Sequence, residues 1–188
     1  MIQDEIERLL RDTNREGIED LLEYMRQSGF YDAPASTRYH GAEAGALAVH
    51  SLNVCNCAID LANAWCGDAW VKEHINSVII CALLHDLGKA GQFGKPYYVE
   101  NILKKGRSEA QPFKTNEDLL YTDHEIVSVI EVSKYIRLTE EEQRAILWHN
   151  GPYSIFKYEI PGKETILYML IHFADLWASR VIESEVQA

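Results

Sequence analysis

An apolar stretch that ends in two adjacent polar residues, His85 and Asp86, constrains the fold of this 188-residue chain more than any other feature. The spacing over residues 68–87 predicts one helix. Nearly every position in its second half is apolar, including Val78, Ile79, Cys81, Ala82 and Leu83. Because a helix that is apolar on all sides is buried, we predict a central helix that carries His85 and Asp86 into the interior.

Other imidazoles and one more carboxylate lie inside segments that also read as helices. They are His50, His124, His149 and Asp175. Four imidazoles and two carboxylates from five separate segments are difficult to explain as unrelated surface residues. Imidazole and carboxylate together suit Zn, Fe, Mn, Co or Ni. The sequence therefore predicts a catalytic metal site.

This pattern resembles the HD-domain superfamily of metal-dependent phosphohydrolases over roughly residues 40–180. The order His, His-Asp, Asp of that superfamily is matched by His50, His85-Asp86 and Asp175. Members with two metal ions have two further histidines before the last Asp, where His124 and His149 stand. The helical spacing along the chain, together with the resemblance, predicts an all-α fold: a single-domain helical bundle with an irregular loop or small hairpin around 89–115.

The resemblance also implies which residues bind metal. It assigns His50, His85, Asp86 and Asp175 to one ion, and Asp86, His124 and His149 to a second. The ions would be divalent, drawn from Fe, Mn, Co, Ni, Zn or Mg. Each histidine has a structural alternative: a lone buried imidazole is often a satisfied core residue, and His149 at a helix end could cap carbonyl groups.

Asp86 and Lys89 are predicted to be catalytic. Adjacent side chains aim about 100° apart around a helix axis, so Asp86 can bridge two ions while His85 binds one. Lys89, three residues later, is placed to stabilise charge on a phosphoryl group. Its alternative role is a cap on the carbonyl groups of the helix end.

The distribution of charge indicates the kind of substrate. The net charge of −11 argues against long nucleic acid as the main partner, because that binding needs a basic surface. Residues 89–114 nevertheless carry a net +4, which leaves −15 for the rest of the chain. A local basic patch beside the His-Asp pair suits a small anionic ligand such as a nucleotide, although a solvated loop would have the same composition.

We predict a binding surface for this substrate from residues near the expected metal ligands. These candidates are Arg38, His40, Lys89, Lys95 and Tyr153. Arg38 and His40 precede the helix that carries His50. Lys95 lies in the basic segment, and Tyr153 follows the turn after His149.

Helical spacing and turn residues divide the chain into segments. Predicted helices cover residues 2–11, 18–27, 42–65, 68–87, 116–136 and 165–183, and a further helix starts at the capping box formed by Thr139 and Glu142. Gly and Pro interrupt residues 89–115, and a loop of that length is usually functional. We expect one domain over residues 1–188, with residues 1–38 packed on it. The apolar faces of the first two helices are a possible oligomer interface.

The predicted function is hydrolysis of a phosphomonoester or phosphodiester in a nucleotide or other small molecule, through a metal-activated hydroxide. The same six ligands also occur in members of the superfamily that hold two irons and oxidise substrates with O₂, and a non-catalytic nucleotide- or metal-binding module is a third alternative. No apolar run approaches the ~20 residues that span a bilayer, and the N-terminus does not resemble a signal peptide. We therefore expect a cytoplasmic protein without membrane contact.

Overall fold

In the computed structural model, which describes residues 1–38 and 41–184, α-helices make up most of the regular structure. They are α1 (Ile2–Asp12), α2 (Ile18–Gln27), α3 (Ala46–Trp65), α4 (Asp68–Leu84), α5 (His124–Val132), α6 (Glu140–Trp148) and α7 (Ile166–Trp177). The prediction of an all-α fold is confirmed. No helix in the described ranges is both long and apolar enough to cross a lipid bilayer.

Helices α3 and α4 form the centre of the bundle. Helix α3 packs against α4 and α7, and α6 also packs against both of these helices. The second half of α4, from Val78 to Leu84, is buried at every position, as its apolar composition predicts. This helix therefore delivers the residues that follow Leu84 into the middle of the molecule.

Two small antiparallel ribbons interrupt the helices in the segment that the sequence marks as irregular. Strand β1 (Tyr98–Glu100) pairs with β4 (Phe113–Thr115), and β2 (Ile102–Leu103) pairs with β3 (Gly106–Arg107). The Phe113 amide donates to the Thr37 carbonyl at 3.2 Å, which attaches the ribbon to the segment before α3. The hairpin expected around 89–115 is thus present.

Several helix boundaries differ from the predicted ones for local reasons. Helix α3 begins at Ala46 instead of Ala42, because Gly45 adopts a left-handed φ of 81° and its amide donates to the Asp32 carbonyl at 3.0 Å. Helix α5 begins at His124, because the side chain of Asn116 accepts from the Asp118 amide at 3.0 Å and forms a turn that competes with helix.

Two further helices end earlier than predicted. Helix α4 ends at Leu84, and a 3₁₀ turn (Leu87–Ala90) follows the His-Asp pair. Helix α7 ends at Trp177 and continues as a π-helical turn (Ala178–Ile182). Turns of this wider type shift the direction of the side chains that follow them, and they occur often at functional sites.

The first two helices pack on the bundle through the apolar faces that the sequence suggested as an interface. Ile6, Leu10, Leu21, Leu22 and Met25 have no exposed surface. Those faces belong to the core, so they are not available for an oligomer contact. The correction follows from α1 lying against α3 and α4.

A buried ion pair ties the N-terminal helices to α6. Thr139 and Glu142 form the predicted capping box, with the Thr139 hydroxyl accepting from the Glu142 amide. The Glu142 carboxylate, which is fully buried, also accepts two hydrogen bonds from Arg15, at 2.6 and 3.0 Å, and one from Ser77 at 2.8 Å. One carboxylate therefore joins the start of α6, helix α4 and the connection between α1 and α2.

Replacing Arg15 tests this connection. We expect Arg15→Ala to lower the free energy of unfolding by about 3 kcal/mol, because it leaves a buried carboxylate without its charged partner. The measurement is denaturant unfolding followed by far-UV circular dichroism. Arg8→Ala is the matched control, since it removes an ion pair with Asp12 whose side chains are 60% and 62% exposed, and its effect should stay within about 0.5 kcal/mol.

The effect of Arg15→Ala should also depend on pH. Burial opposes ionisation of Glu142, but hydrogen bonds from Arg15 and the Thr139 amide outweigh it and lower the pKa of Glu142 below its ordinary 4.5. The stabilisation is therefore present above pH 4.5 and is lost as the pH falls below it. A difference between wild type and variant that stayed constant down to acidic pH would contradict this assignment.

Candidate metal centre

His85 and His149 occupy equivalent positions at the C-terminal ends of α4 and α6. The Nδ1 of His85 bonds the Ala82 carbonyl at 2.8 Å, and the Nδ1 of His149 bonds the Ile146 carbonyl at 2.7 Å. Because a carbonyl only accepts, each Nδ1 carries a proton, and in the neutral ring Nε2 therefore has the lone pair. Both rings are buried, with at most 1% of the side chain exposed.

His50 is oriented by a carboxylate from the far end of the chain. Its Nδ1 lies 3.1 and 3.0 Å from the two oxygens of Glu183, which also accepts from Asn53 at 2.9 Å. Burial opposes protonation, but Asp175 and Glu183 raise the pKa of His50 to about 10. The carboxylates around this ring thus create a strong preference for positive charge at its position.

His124 is the first residue of α5 and completes the set of imidazoles. Its Nδ1 lies 3.3 Å from the Glu125 carboxylate and its Nε2 lies 3.1 Å from Asp86. In all four histidines, therefore, Nδ1 faces an oxygen outside the cluster and Nε2 faces inward. This is the arrangement by which proteins orient metal-binding imidazoles.

The inward-facing nitrogens divide between the two oxygens of Asp86. Oδ2 lies 3.6 Å from His50 Nε2 and 3.4 Å from His85 Nε2. Oδ1 lies 3.1 Å from His124 Nε2 and 3.5 Å from His149 Nε2. Asp86 itself is 1% exposed, so one buried carboxylate is surrounded by four rings.

Asp175 comes to the same cluster from the last turn of α7. Its Oδ1 lies 3.2 Å from His50 Nε2, and its side chain is 18% exposed. Ligand atoms lie within 4.8 Å of one another in three overlapping groups, which are His50–His85–Asp86, His85–His149–Asp175 and Asp86–His124–His149. All six predicted metal ligands are brought together.

The chemistry of this donor set fits a divalent cation. Burial would raise the pKa of both carboxyl groups, yet Lys89 and nearby imidazoles hold the pKa of Asp86 well below its ordinary value, and His50 does the same for Asp175. The Nε2 of His85 is fully buried and makes no hydrogen bond of good geometry. A cation would pair with that lone pair and with the buried negative charge, which otherwise cost free energy.

Lys89 lies at the edge of the cluster on the 3₁₀ turn. Its Nζ donates to Asp86 Oδ2 at 2.6 Å, and its side chain is 14% exposed. Burial opposes the charged form, but Asp86 outweighs it and raises the pKa of Lys89. The ammonium group is therefore charged and next to the Asp86 oxygen that faces His50 and His85.

Close packing of backbone on backbone positions His124 relative to Asp86. The Gly88 amide donates to the Ser128 hydroxyl at 2.8 Å, and that hydroxyl donates to the His124 carbonyl at 2.8 Å. A Cβ atom on Gly88 would lie 2.3 Å from the His124 carbonyl oxygen. The glycine after the His-Asp-Leu sequence is thus required for α5 to approach the 3₁₀ turn.

Comparison with known families agrees with this geometry. The family model described as HD domain matches residues 47–176, about two thirds of the chain. The chain belongs to the HD domain family. No curated protein and no solved structure matches the chain significantly. HD domain proteins are in general metal-dependent hydrolases, and the clustered His and Asp residues indicate divalent metal binding by this member.

The residues predicted to bind substrate lie in different places. Lys89 lies at the metal centre, as described, whereas Lys95 is exposed and donates to the Asp118 carbonyl at 2.9 Å. Arg38 is exposed and follows Thr37, which bonds β4. Tyr153, 77% exposed, lines a cavity between α3 and α7 instead of the His–Asp cluster. His40 lies outside the described residues.

The sequence does not single out every residue that lies against the ligands. Glu183 was regarded only as the end of the last helix, and no motif singled it out. His172 stands three residues before Asp175, and this spacing predicts either a donor that orients a ligand or ordinary packing; its Nδ1 donates to the His149 carbonyl at 2.7 Å. Tyr98 on β1 lies close enough to Lys89 and Asp86 that both charges influence its pKa, which burial raises.

Glu183 offers a test of how the metal centre is oriented. We expect Glu183→Ala to weaken metal binding by about 10- to 100-fold, because His50 loses the acceptor that fixes its ring. Glu183→Gln keeps an oxygen acceptor and should lose less. The measurement is competition for the metal against a chelator of known affinity.

Glu159→Gln is the control, since Glu159 is an exposed glutamate whose nearest ion-pair partner, Lys163, is 4.0 Å away. Its metal affinity should equal that of the wild type. Wild-type affinity in Glu183→Ala would show that His50 does not depend on this contact.

Proposed function

We propose that this HD domain protein is a two-metal phosphohydrolase that cleaves a phosphate ester of a nucleotide or a similarly small molecule. The observation that carries the proposal is the division of four imidazoles between the two oxygens of Asp86. A carboxylate can give one oxygen to each of two ions, and hydrolytic two-metal sites hold their ions ~3.5–4 Å apart. His50, His85 and Asp175 would serve one ion, while His124 and His149 would serve the other.

The donor set determines what the residues contribute to hydrolysis. When bound, divalent ions lower the pKa of water towards ~7 and stabilise negative charge on phosphoryl oxygens. Because Nδ1 of His85 and of His149 carries a proton, the inward Nε2 of each neutral ring can donate its lone pair to a metal ion. Water adds to phosphorus, the ester oxygen leaves with a proton, and the products are an alcohol and a phosphate.

Lys89 supplies the fixed positive charge that this reaction needs. Its ammonium group is held 2.6 Å from Asp86, and so it lies within the centre and is already oriented before a substrate enters. A preorganised cation at the place where phosphoryl charge develops lowers the barrier most effectively in a site shielded from water. With 14% of its side chain exposed, Lys89 is also accessible to a substrate phosphate.

The exposure of the centre favours a small substrate. His50, His85, Asp86 and His149 are almost fully buried, while Lys89, Asp175 and His124 are 14%, 18% and 19% exposed. Among the described residues of the centre, Lys89, Asp175 and His124 are therefore the ones that a substrate can contact from solvent. The basic segment 89–114, which begins at Lys89, supports an anionic ligand, and the net charge of −11 disfavours long nucleic acid.

Metal content is the first experiment. Protein purified anaerobically without chelator should contain about two ions per chain by inductively coupled plasma mass spectrometry. One ion per chain would contradict the role given to His124 and His149. Two irons together with substrate-dependent O₂ consumption would favour the oxidising members of the superfamily and would overturn hydrolysis as the main activity.

Substitution of Asp86 tests the bridging role. Asp86→Ala should lose both ions and phosphatase turnover, because each ion loses a ligand, while the far-UV circular dichroism stays helical. Turnover can be followed with p-nitrophenyl phosphate and bis(p-nitrophenyl) phosphate as monoester and diester probes. Full activity in this variant would refute the assignment of the site.

Substitution of Lys89 separates metal binding from electrostatic stabilisation. Lys89→Met should keep its metal ions and lose about 10²- to 10³-fold in kcat. Lys105→Met is the matched control, because Lys105 is an exposed lysine in the same basic segment, and its kcat should be unchanged. Normal turnover in Lys89→Met would reduce Lys89 to a structural partner of Asp86.

A further inference from the structure

A second concave surface lies on the outer side of the helix that carries Asp175. It is a cavity of about 880 Å³ between the second half of α3 and the end of α7 with its π-helical turn. The residues that matter here are Asp60, Trp65, Tyr153, Phe173, Trp177 and Arg180. None of them belongs to the predicted metal ligands.

The walls of this cavity expose an unusual amount of aromatic surface. Tyr153 is 77% exposed, Trp65 65%, Trp177 57% and Phe173 40%. At roughly 200 Å² for each ring, these four side chains together leave on the order of 500 Å² of accessible surface, part of which lines the cavity and part of which surrounds it. Trp65 and Phe173 also pack edge to face at 6.4 Å, so the two walls are already ordered.

The two charged residues of the cavity have opposite signs and stand on opposite walls. Asp60 belongs to α3, and Arg180 belongs to the π-helical turn. Within residues 1–38 and 41–184, neither side chain makes an ion pair or a hydrogen bond. By contrast, Arg8, Arg11, Arg15 and Arg26 all form ion pairs.

We propose that this surface is the interface of a dimer of two copies of the chain. In a two-fold interface, a residue on one wall faces the residue on the opposite wall of the partner. A two-fold axis through the cavity would therefore place Asp60 of each copy against the partner subunit's Arg180. The aromatic rings between the two charges would then be covered by the same rings of the second copy.

Charge explains why a second copy fits better than another occupant. Each copy carries −11, so two copies repel over most of their surfaces. The cavity has one acid and one base among its lining residues, and hence no net charge. A second copy could cover both the cavity and the exposed aromatic surface around it, out of the ~800 Å² that each partner of a stable complex buries.

The test is a pair of charge reversals followed by mixing. Wild-type protein should have twice the 21.5 kDa mass of the chain by sedimentation velocity. Asp60→Arg and Arg180→Asp should each sediment as monomers, because like charges meet twice in each homodimer. An equimolar mixture should form a heterodimer, since both contacts then join opposite charges, and native mass spectrometry should show its mixed mass.

Both residues are exposed, so the variants should keep the wild-type far-UV spectrum and unfolding midpoint. Asp20→Arg, an exposed reversal on α2, is the control and should remain dimeric. A monomeric wild type, dimeric single variants or the absence of a heterodimer would each overturn the proposal. A monomer that binds a small aromatic compound in the cavity would overturn it as well.

Discussion

A single buried carboxylate imposes the strongest requirement on this structure. An ionised carboxyl group in a protein interior costs free energy unless other groups neutralise it. Asp86 is 1% exposed and is surrounded by imidazoles from α3, α5 and α6, by its neighbour His85 and by Lys89. The arrangement of these segments is therefore inseparable from the charge at the centre, and a divalent cation would complete that compensation.

The ends of helices supply most of the inward-facing groups. The carbonyl groups of a last helical turn lack partners within the helix. His85 and His149 use Nδ1 to bond such carbonyls, those of Ala82 and Ile146, and the same bond orients Nε2 towards Asp86. In each case one hydrogen bond therefore pairs a carbonyl group of the helix end and also fixes the orientation of the imidazole ring.

The sequence predicts the all-α class and the six clustered residues, because helical periodicity and the order of His and Asp can both be read directly along the chain. It was not sufficient for contacts that depend on distant segments. Glu183 meets His50 only because α7 ends in a π-helical turn, and no periodicity predicts that turn. Chain proximity predicts Tyr153 near His149, but a second 3₁₀ turn (Gly151–Tyr153) directs it to another surface. The early part of the predicted helix 116–136 failed because a side-chain turn at Asn116 competes with helix.

The buried pair of Arg15 with Glu142 illustrates that residues which support the metal centre extend beyond the region matched by the family model. Residues 47–176 contain all six clustered residues but neither Arg15 nor Glu183. Arg15 stabilises the start of α6, whose nine residues end directly before His149, and Glu183 fixes His50 from the other side. Two residues that support the centre therefore lie outside the region matched by the family model. A substitution in either flank can therefore change the metal affinity of this chain while all six clustered residues stay the same.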